Sequence, residues 1–158
     1  MDRSFNGQDA SLSRRRSGFD SPSVRLIVSA LIAAAIILPP IPGAYNPQVK
    51  QSTISSTVCV KGWTATVRPP QSYTSPIKRE LLKSQNLPGT VSDYQLDHLI
   101  SLELGGSPRS RDNLWMEPIV QAHRVDPVES ALKRAVCDRD IRLSVAQKLE
   151  LAWKRTFG

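Results

Sequence analysis

Hydrophobic positions form one uninterrupted run near the N-terminus and are scattered at short spacing after it. The run covers residues 26–38, thirteen residues of which Ser29 is the only polar one. Arginines precede it and a proline-rich segment, residues 39–44, follows it, an order typical of a secretory signal. Thirteen helical residues rise about 20 Å, short of the ~30 Å hydrocarbon core of a bilayer. The pattern predicts that residues 1–45 are a basic leader followed by a cleaved signal or a retained membrane anchor.

This N-terminal pattern also predicts where the rest of the chain lies. Arginines before an apolar segment keep the N-terminus inside, so the C-terminal part faces outward. If the signal is cleaved, we expect a periplasmic or extracellular protein. If it is retained, we expect attachment to the inner membrane through residues 26–45.

The remaining sequence predicts a linker over residues 46–56, which are polar, and one domain over residues 57–158. Residues 57–67 are β-prone, and Ser75-Pro76 is typical of a helix start. A second apolar-rich stretch, residues 91–104, ends at Gly105-Gly106, which we expect to form a tight turn. The mixture of strand and helix patterns predicts a small α+β fold.

Two helices are predicted at the C-terminus from their capping residues and apolar stripes. Asp126-Pro127 with Glu129 resembles a capping box, and Ser144 repeats this arrangement. The predicted buried stripes are Val128, Leu132 and Val136 in the first helix, and Val145, Leu149 and Trp153 in the second.

Composition limits the size of the core and the kind of partner. The chain has 158 residues, of which 40% are hydrophobic and 6% aromatic, so a large multilayer core is excluded. With 21 Lys and Arg against 14 Asp and Glu, the formal charge is +7. This charge favours an acidic partner, such as nucleic acid or an anionic membrane surface.

Two cysteines, Cys59 and Cys137, lie near opposite ends of the predicted domain. In an oxidising compartment such a pair predicts one disulfide, with two unpaired buried thiols as the alternative. A structural zinc site is disfavoured, because the cysteines and the two histidines are nowhere closely spaced.

The chemically informative segment runs from Asp97-His98 to Gly105-Gly106 and continues in Asn113-Leu114-Trp115. It resembles the HNH (His-Me finger, ββα-metal) endonucleases, and more closely a small exported bacterial subgroup whose signature is matched from Tyr94 onward. The resemblance covers about residues 57–157. It implies a small ββα-metal domain with extra helices. The chain departs from the subgroup at Val125, where a lysine is expected.

The resemblance implies a role for each of four polar residues. Asp97 would bind a metal and His98 would be the general base. Asn113 would either bind the metal or hold the loop. The third ligand best matches His123, with a surface histidine as the alternative, because it follows Asn113 at slightly more than the usual gap. The metal is expected to be Mg²⁺, with Mn²⁺ or Zn²⁺ also suited to these ligands. No organic cofactor is expected.

The Asp97-His98 pair is chemically suited to phosphodiester hydrolysis. A neutral imidazole can take a proton from water near neutral pH. Neighbouring residues on a strand point to opposite faces, so Asp97 and His98 can share a site only at a strand end or bulge. The alternative for His98 is a half-buried histidine bonded to a backbone carbonyl.

Three arginines near these motifs are candidates for phosphate contacts: Arg109, Arg111 and Arg124. Such contacts give affinity without sequence preference. The sequence as a whole predicts a metal-dependent endonuclease of low sequence specificity, with DNA as the favoured nucleic acid. The main alternative is an inactive, exported or membrane-tethered HNH-like binding module. A weaker one is an envelope protein attached to anionic lipid through the N-terminal arginines.

Overall fold

The polar and apolar pattern folds into an arrangement of four α-helices and one two-stranded sheet in the part of the chain that the computed structural model describes, residues 41–157. Its fold class is α+β, as predicted. In chain order the elements are α1 (Trp63–Val67), α2 (Gln71–Ser84), β1 (Tyr94–His98), β2 (Leu114–Pro118), α3 (Ile119–Cys137) and α4 (Leu143–Phe157). Short 3₁₀ turns lie at Ile54–Ser56, Val91–Asp93, Leu102–Leu104 and Arg111–Asn113.

Strands β1 and β2 pair antiparallel, and α3 follows β2 without a loop. Tyr94 lies opposite Pro118 and His98 opposite Leu114. Pro118 is both the last residue of β2 and the N-cap of α3. Strands β1 and β2 and helix α3 therefore form one continuous unit. The connection between the two strands begins at the end of β1.

The main hydrophobic core joins the first described turns to the two C-terminal helices. Leu132 and Val136 of α3 are fully buried, and Val128 packs against them, which confirms the predicted stripe. The other core residues are Val49, Ile54, Val58, Leu104, Ala135, Ile141, Leu143 and Ala146.

The strand predicted over residues 57–67 is wrong. The segment forms turns and then the short helix α1, which begins after Gly62 in the left-handed conformation, at φ 81°. β-prone side chains favour a strand only where a neighbouring strand and a half-buried surface receive them. No strand pairs with this segment among the described residues.

The helix starts predicted at the two internal Ser/Asp-Pro pairs are also wrong. Helix α2 begins at Gln71 and contains Pro76, and α3 begins at Ile119 and contains Pro127. A proline inside a helix leaves one backbone carbonyl without its helical hydrogen bond. Both prolines are exposed, so water can reach that carbonyl.

The buried face of α4 differs from the predicted stripe. Val145, Leu149 and Trp153 are only partly buried. The enclosed face consists of Leu143, Ala146, Gln147, Glu150 and Lys154. Three of these five side chains are polar. Apolar periodicity therefore predicted a stripe that lies about one residue before the face that is actually buried.

The folded unit begins before the predicted domain boundary. The Gly43 amide donates to the Asp112 carbonyl at 2.9 Å, and the Ala44 carbonyl accepts from the Ser107 amide at 2.7 Å. Val49 is 7% exposed and belongs to the core. The segment predicted as a linker, residues 46–56, is thus a packed part of the domain.

The predicted signal or anchor segment falls almost entirely on residues 1–40, outside the described residues. Within residues 41–157, no helix has both the length and the apolar character needed to cross a membrane.

The predicted disulfide is confirmed. Cys59 and Cys137 are bonded, with their Cα atoms 5.5 Å apart. The bond ties the turns before α1 to the C-terminal end of α3.

Candidate functional site

A polar pocket of about 360 Å³ lies at the end of β1. Four parts of the chain form it: the residue after α1, β1, the 3₁₀ turn that follows β1, and α3. The ionisable or polar side chains in its lining include Arg68, Gln95, Asp97, His98, Ser101, Glu103, Asp126 and Glu129. A larger pocket, about 450 Å³, lies beside the disulfide. It contains no histidine, so we place the candidate site at the pocket at the end of β1.

Asp97 and His98 both line this pocket because β1 ends at His98. Beyond His98 the backbone leaves the strand, and the Leu99 amide donates to the Asn113 carbonyl at 2.8 Å. This is the strand end that a shared Asp-His site requires.

The His98 imidazole is held by a backbone carbonyl. Its Nε2 lies 3.1 Å from the Pro108 carbonyl oxygen, and the residue is 4% exposed. A carbonyl only accepts, so Nε2 carries the proton and Nδ1 is the basic nitrogen of the neutral ring.

The surroundings of His98 also favour its neutral form. Burial lowers the pKa of His98, and the positive charges of Arg68 and Lys154 lower it further. The Pro108 carbonyl and Asp97 act in the opposite direction, but the net effect keeps the pKa below its usual value of 6.5. The ring is therefore neutral at neutral pH.

Asp97 is paired with a lysine from the far end of the chain. Burial alone would raise the pKa of Asp97, but the charge and hydrogen bond of Lys154 bring it below its usual value. Lys154 Nζ lies 2.8 Å from Asp97 Oδ2, and Trp115 Nε1 lies 3.4 Å from the same oxygen. Asp97 is thus an ionised carboxylate with a fixed oxygen.

Three further carboxylates lie near this pair. Lys154 Nζ is 2.6 Å from Glu129 Oε1 and 3.8 Å from Glu150 Oε1. Glu117 accepts a hydrogen bond from Gln95 at 2.6 Å. Burial raises the pKa of Glu129, and it raises the pKa of Glu117 and of Glu150 to about 7.

Asn113 holds the loop between the strands. Its side chain is fully buried, and its Oδ1 accepts from the Ile100 amide at 2.9 Å. Its Nδ2 donates to the carbonyls of Ile100 and Ser107, both at 3.0 Å. The sequence left two roles open for Asn113, binding the metal or holding the loop, and these contacts hold the loop. Asn113 is not among the residues that line the pocket.

His123 does not come to the pocket. It is exposed, inside α3 rather than before it, and the α3 residues that line the pocket are Asp126, Glu129 and Ser130. The capping roles predicted for Asp126 and Glu129 are wrong, because α3 begins at Ile119.

The three arginines predicted to bind phosphate lie outside the pocket lining. The Arg109 guanidinium stacks over the Tyr73 ring, 4.8 Å from its centroid. Arg111 pairs with Glu80 on α2, and Arg124 is exposed on α3. The arginine in the lining is Arg68, which was not among the predicted phosphate contacts.

Lys154 and Glu150 were missed by the sequence analysis. A lysine in the last turn of a helix is ordinarily a solvated side chain that interacts with the helix dipole. Here Lys154 is 0% exposed and Glu150 is 1% exposed. Their four-residue spacing was the available signal, but the same spacing is typical of surface ion pairs.

The pocket offers oxygen ligands for a cation but no preformed cage. Among residues 41–157, no three histidine, cysteine or carboxylate side chains converge closely enough to hold a metal by themselves. Mg²⁺ commonly binds through one or two carboxylates, with waters and substrate phosphates completing its shell. Asp97 meets this need, and Glu103 has a buried oxygen, Oε2, without a hydrogen-bond partner. The residues present therefore fit a Mg²⁺-like ion bound together with substrate.

Neither a protein-family model, nor a curated protein, nor a solved structure matched the chain. The functional argument therefore depends on the residues and their arrangement.

Proposed function

We propose that the chain is an HNH-type endonuclease that hydrolyses phosphodiester bonds of nucleic acid with little sequence specificity and requires a divalent metal. The observation that carries this proposal is the neutral His98 ring, bonded through Nε2 to the Pro108 carbonyl and set beside the ionised Asp97. The strand-strand-helix order around the pair supports it.

In this proposal His98 is the general base. With Nε2 donating to Pro108, the lone pair on Nδ1 can take a proton from the attacking water. Burial keeps the ring unprotonated, so the base is ready at neutral pH.

Asp97 would hold the metal, with Mg²⁺ favoured and Mn²⁺ or Zn²⁺ as alternatives. When bound, such an ion supplies charge neutralisation at the phosphate and at the leaving oxygen. Glu103 lines the same pocket and is a candidate for a second oxygen ligand.

Arg68 is the residue best placed to contact a phosphate at the pocket, because it lines the pocket and is exposed. Arg109, Arg111 and Arg124 would contact the nucleic-acid backbone farther from the site. Contacts of this kind carry no sequence information, in keeping with a nonspecific enzyme that favours DNA.

The decisive test compares the two histidines of the chain. The full-length protein, purified oxidised, is incubated with supercoiled plasmid in the presence of Mg²⁺, Mn²⁺ or EDTA. We expect metal-dependent nicking that His98→Ala reduces by ~10²-fold or more, since positioned bases typically contribute 10²–10⁴-fold. His123→Ala, prepared identically, is expected to match the wild type.

Cleavage that survives in His98→Ala would assign the activity to a contaminant or to another site. A loss of cleavage in His123→Ala would indicate that His123 belongs to the active site.

The second candidate function is an inactive HNH-like binding module. The observation that favours it is that Lys154 already neutralises Asp97, so an internal ammonium meets the carboxylate that would hold the metal. Such a module would bind DNA or RNA in a gel-shift assay and cleave neither. Binding without cleavage by a folded, disulfide-bonded sample would select this alternative.

We also propose that the protein is exported, to the periplasm or beyond, or is attached to the inner membrane if residues 26–45 are not removed. The Cys59–Cys137 disulfide supports an oxidising compartment. Cell fractionation with and without high-salt and detergent washes distinguishes the released form from the membrane-attached form.

A further inference from the structure

Lys154 is a fully enclosed lysine whose three shortest polar contacts are with residues that line the pocket. Its Nζ lies 2.8 Å from Asp97 Oδ2, 2.6 Å from Glu129 Oε1 and 2.6 Å from the His98 carbonyl oxygen. The side chain is 0% exposed. Through one atom, α4 is connected to the end of β1 and to α3.

The ammonium is enclosed by groups of the protein. It donates hydrogen bonds to Asp97 Oδ2 and the His98 carbonyl and forms an ion pair with Glu129 Oε1, all within 2.8 Å. It is also absent from the pocket lining. Lys154 therefore acts on the site only through the groups that it holds.

Stability alone is a weak reason for this arrangement. Removing a lysine and its carboxylates from water is costly, and apolar replacements of buried ion pairs are often as stable or more stable. The ammonium is bonded to the two adjacent residues that the proposed chemistry needs, the Asp97 carboxylate and the His98 backbone. Both lie at the end of β1 and are its last two residues paired with β2.

We propose that Lys154 is a positioning residue that fixes the Asp97 carboxylate through Oδ2 and fixes the His98 backbone through its carbonyl. Lys154 and Trp115 use the same carboxylate oxygen, so Oδ1 is the oxygen that they leave for a cation. His98 is thus held at two points. Lys154 bonds its backbone carbonyl, and the Pro108 carbonyl bonds its imidazole ring. This inference rests on the proposed nuclease function for its catalytic consequence.

The kinetic test uses a variant that limits the number of carboxylates left unpaired when Lys154 is removed. Lys154→Met alone leaves Glu129 and Asp97 without their partner, so the main variant is Lys154→Met combined with Glu129→Gln. Glu129→Gln alone is its reference. Lys148→Met, an exposed lysine of the same helix, is the matched control.

Relative to Glu129→Gln, we expect the double variant to lose about 10–100-fold in kcat, the range typical of residues that orient a metal ligand. KM should stay unchanged, because the contacts with the substrate are intact. Mn²⁺ affinity, measured by EPR, should weaken by a similar factor. A double variant that keeps both kcat and Mn²⁺ affinity within twofold of Glu129→Gln would overturn the proposal.

A second measurement is independent of cleavage. In ¹⁵N-labelled protein, a buried, hydrogen-bonded ammonium exchanges slowly, so a Lys154 Nζ signal should be visible and should shift in Asp97→Asn. The ring nitrogen signals of His98 should shift between Glu129→Gln and the double variant. Absence of cleavage by the wild type would defeat the nuclease proposal only. Unchanged His98 signals in the double variant would defeat the positioning role, whether or not the protein cleaves.

Discussion

At the residue scale, the protonation of His98 sets the pH dependence expected of the proposed nuclease activity. The base must be neutral, so the rate falls as pH drops through the pKa of His98, which burial keeps below 6.5. We expect initial rates of plasmid nicking at saturating Mg²⁺ to be highest near pH 8 and to reach half of that maximum only below pH 6.5. A fall centred at or above 6.5 would show that the ring is not the low-pKa base described here.

Asn113 gives the second prediction at this scale. Asn113→Ala leaves the buried amide and carbonyl of Ile100 without their partners, so unfolding free energy should fall by about 2–4 kcal/mol. Urea denaturation measures the change, with Ser110→Ala in the same loop as the control. A variant as stable as the wild type would mean that the side chain does not hold the loop.

The sequence led to Asp97, His98 and Asn113 because their residue types and spacing are local information. It did not lead to Lys154, which lies more than fifty residues later and meets Asp97 only when α4 packs against the end of β1. The orientation of α3 places Asp126 and Glu129 at the pocket, and His123 is not among the lining residues. Orientation depends on where α3 begins, and local capping patterns placed that start eight residues too late.

At the element scale, the buried face of α4 does not follow the apolar periodicity of the helix, because it contains the charged residues Glu150 and Lys154. Apolar spacing predicted one stripe, but Glu150 and Lys154 occupy the enclosed face because their partners lie on β1, α3 and the turn at Ser101. A hydrophobic pattern cannot reveal a buried polar network, because a polar side chain can be buried without a large cost only when its hydrogen-bond or charge partners are buried with it. By contrast, the α3 stripe was predicted correctly, since it packs into an ordinary apolar core.

The α4 network predicts how stability changes with pH. Burial raises the pKa of Glu150 to about 7 from 4.5, so between these values the folded protein binds more protons than the unfolded chain. Stability contributed by Glu150 is therefore greatest at acidic pH and is lost as pH rises through about 7. Glu150→Gln removes this loss and can still accept from the Ser101 amide.

We expect the unfolding free energy of Glu150→Gln to fall less than that of the wild type between pH 5 and pH 8, by roughly 1–3 kcal/mol. Glu80→Gln, at an exposed carboxylate, is the matched surface variant for comparison. Parallel curves for Glu150→Gln and wild type would show that Glu150 titrates as an ordinary carboxylate. Chemical denaturation at several pH values supplies the comparison.

At the scale of the whole molecule, two distant parts of the chain close the domain. Residues 43–46 hydrogen-bond to the loop between the strands, and Cys59 is bonded to Cys137 at the end of α3. The disulfide could be predicted from the cysteine count and the expectation of export. The packing of residues 43–49 could not, because a polar segment after an apolar run is indistinguishable from a linker until the surface that receives it is known.

The disulfide carries the last prediction. It closes a loop with a sequence separation of 78, for which chain entropy gives roughly 4 kcal/mol of stabilisation. Cys59→Ser combined with Cys137→Ser should lower the unfolding free energy by about this amount, and treating the wild type with a reductant should produce the same loss. The serine variant should be indifferent to the reductant. Because the bond secures α3, which carries Asp126 and Glu129 to the pocket, cleavage should fall with stability. A double variant within 1 kcal/mol of the wild type would mean that α3 is held by its core contacts alone.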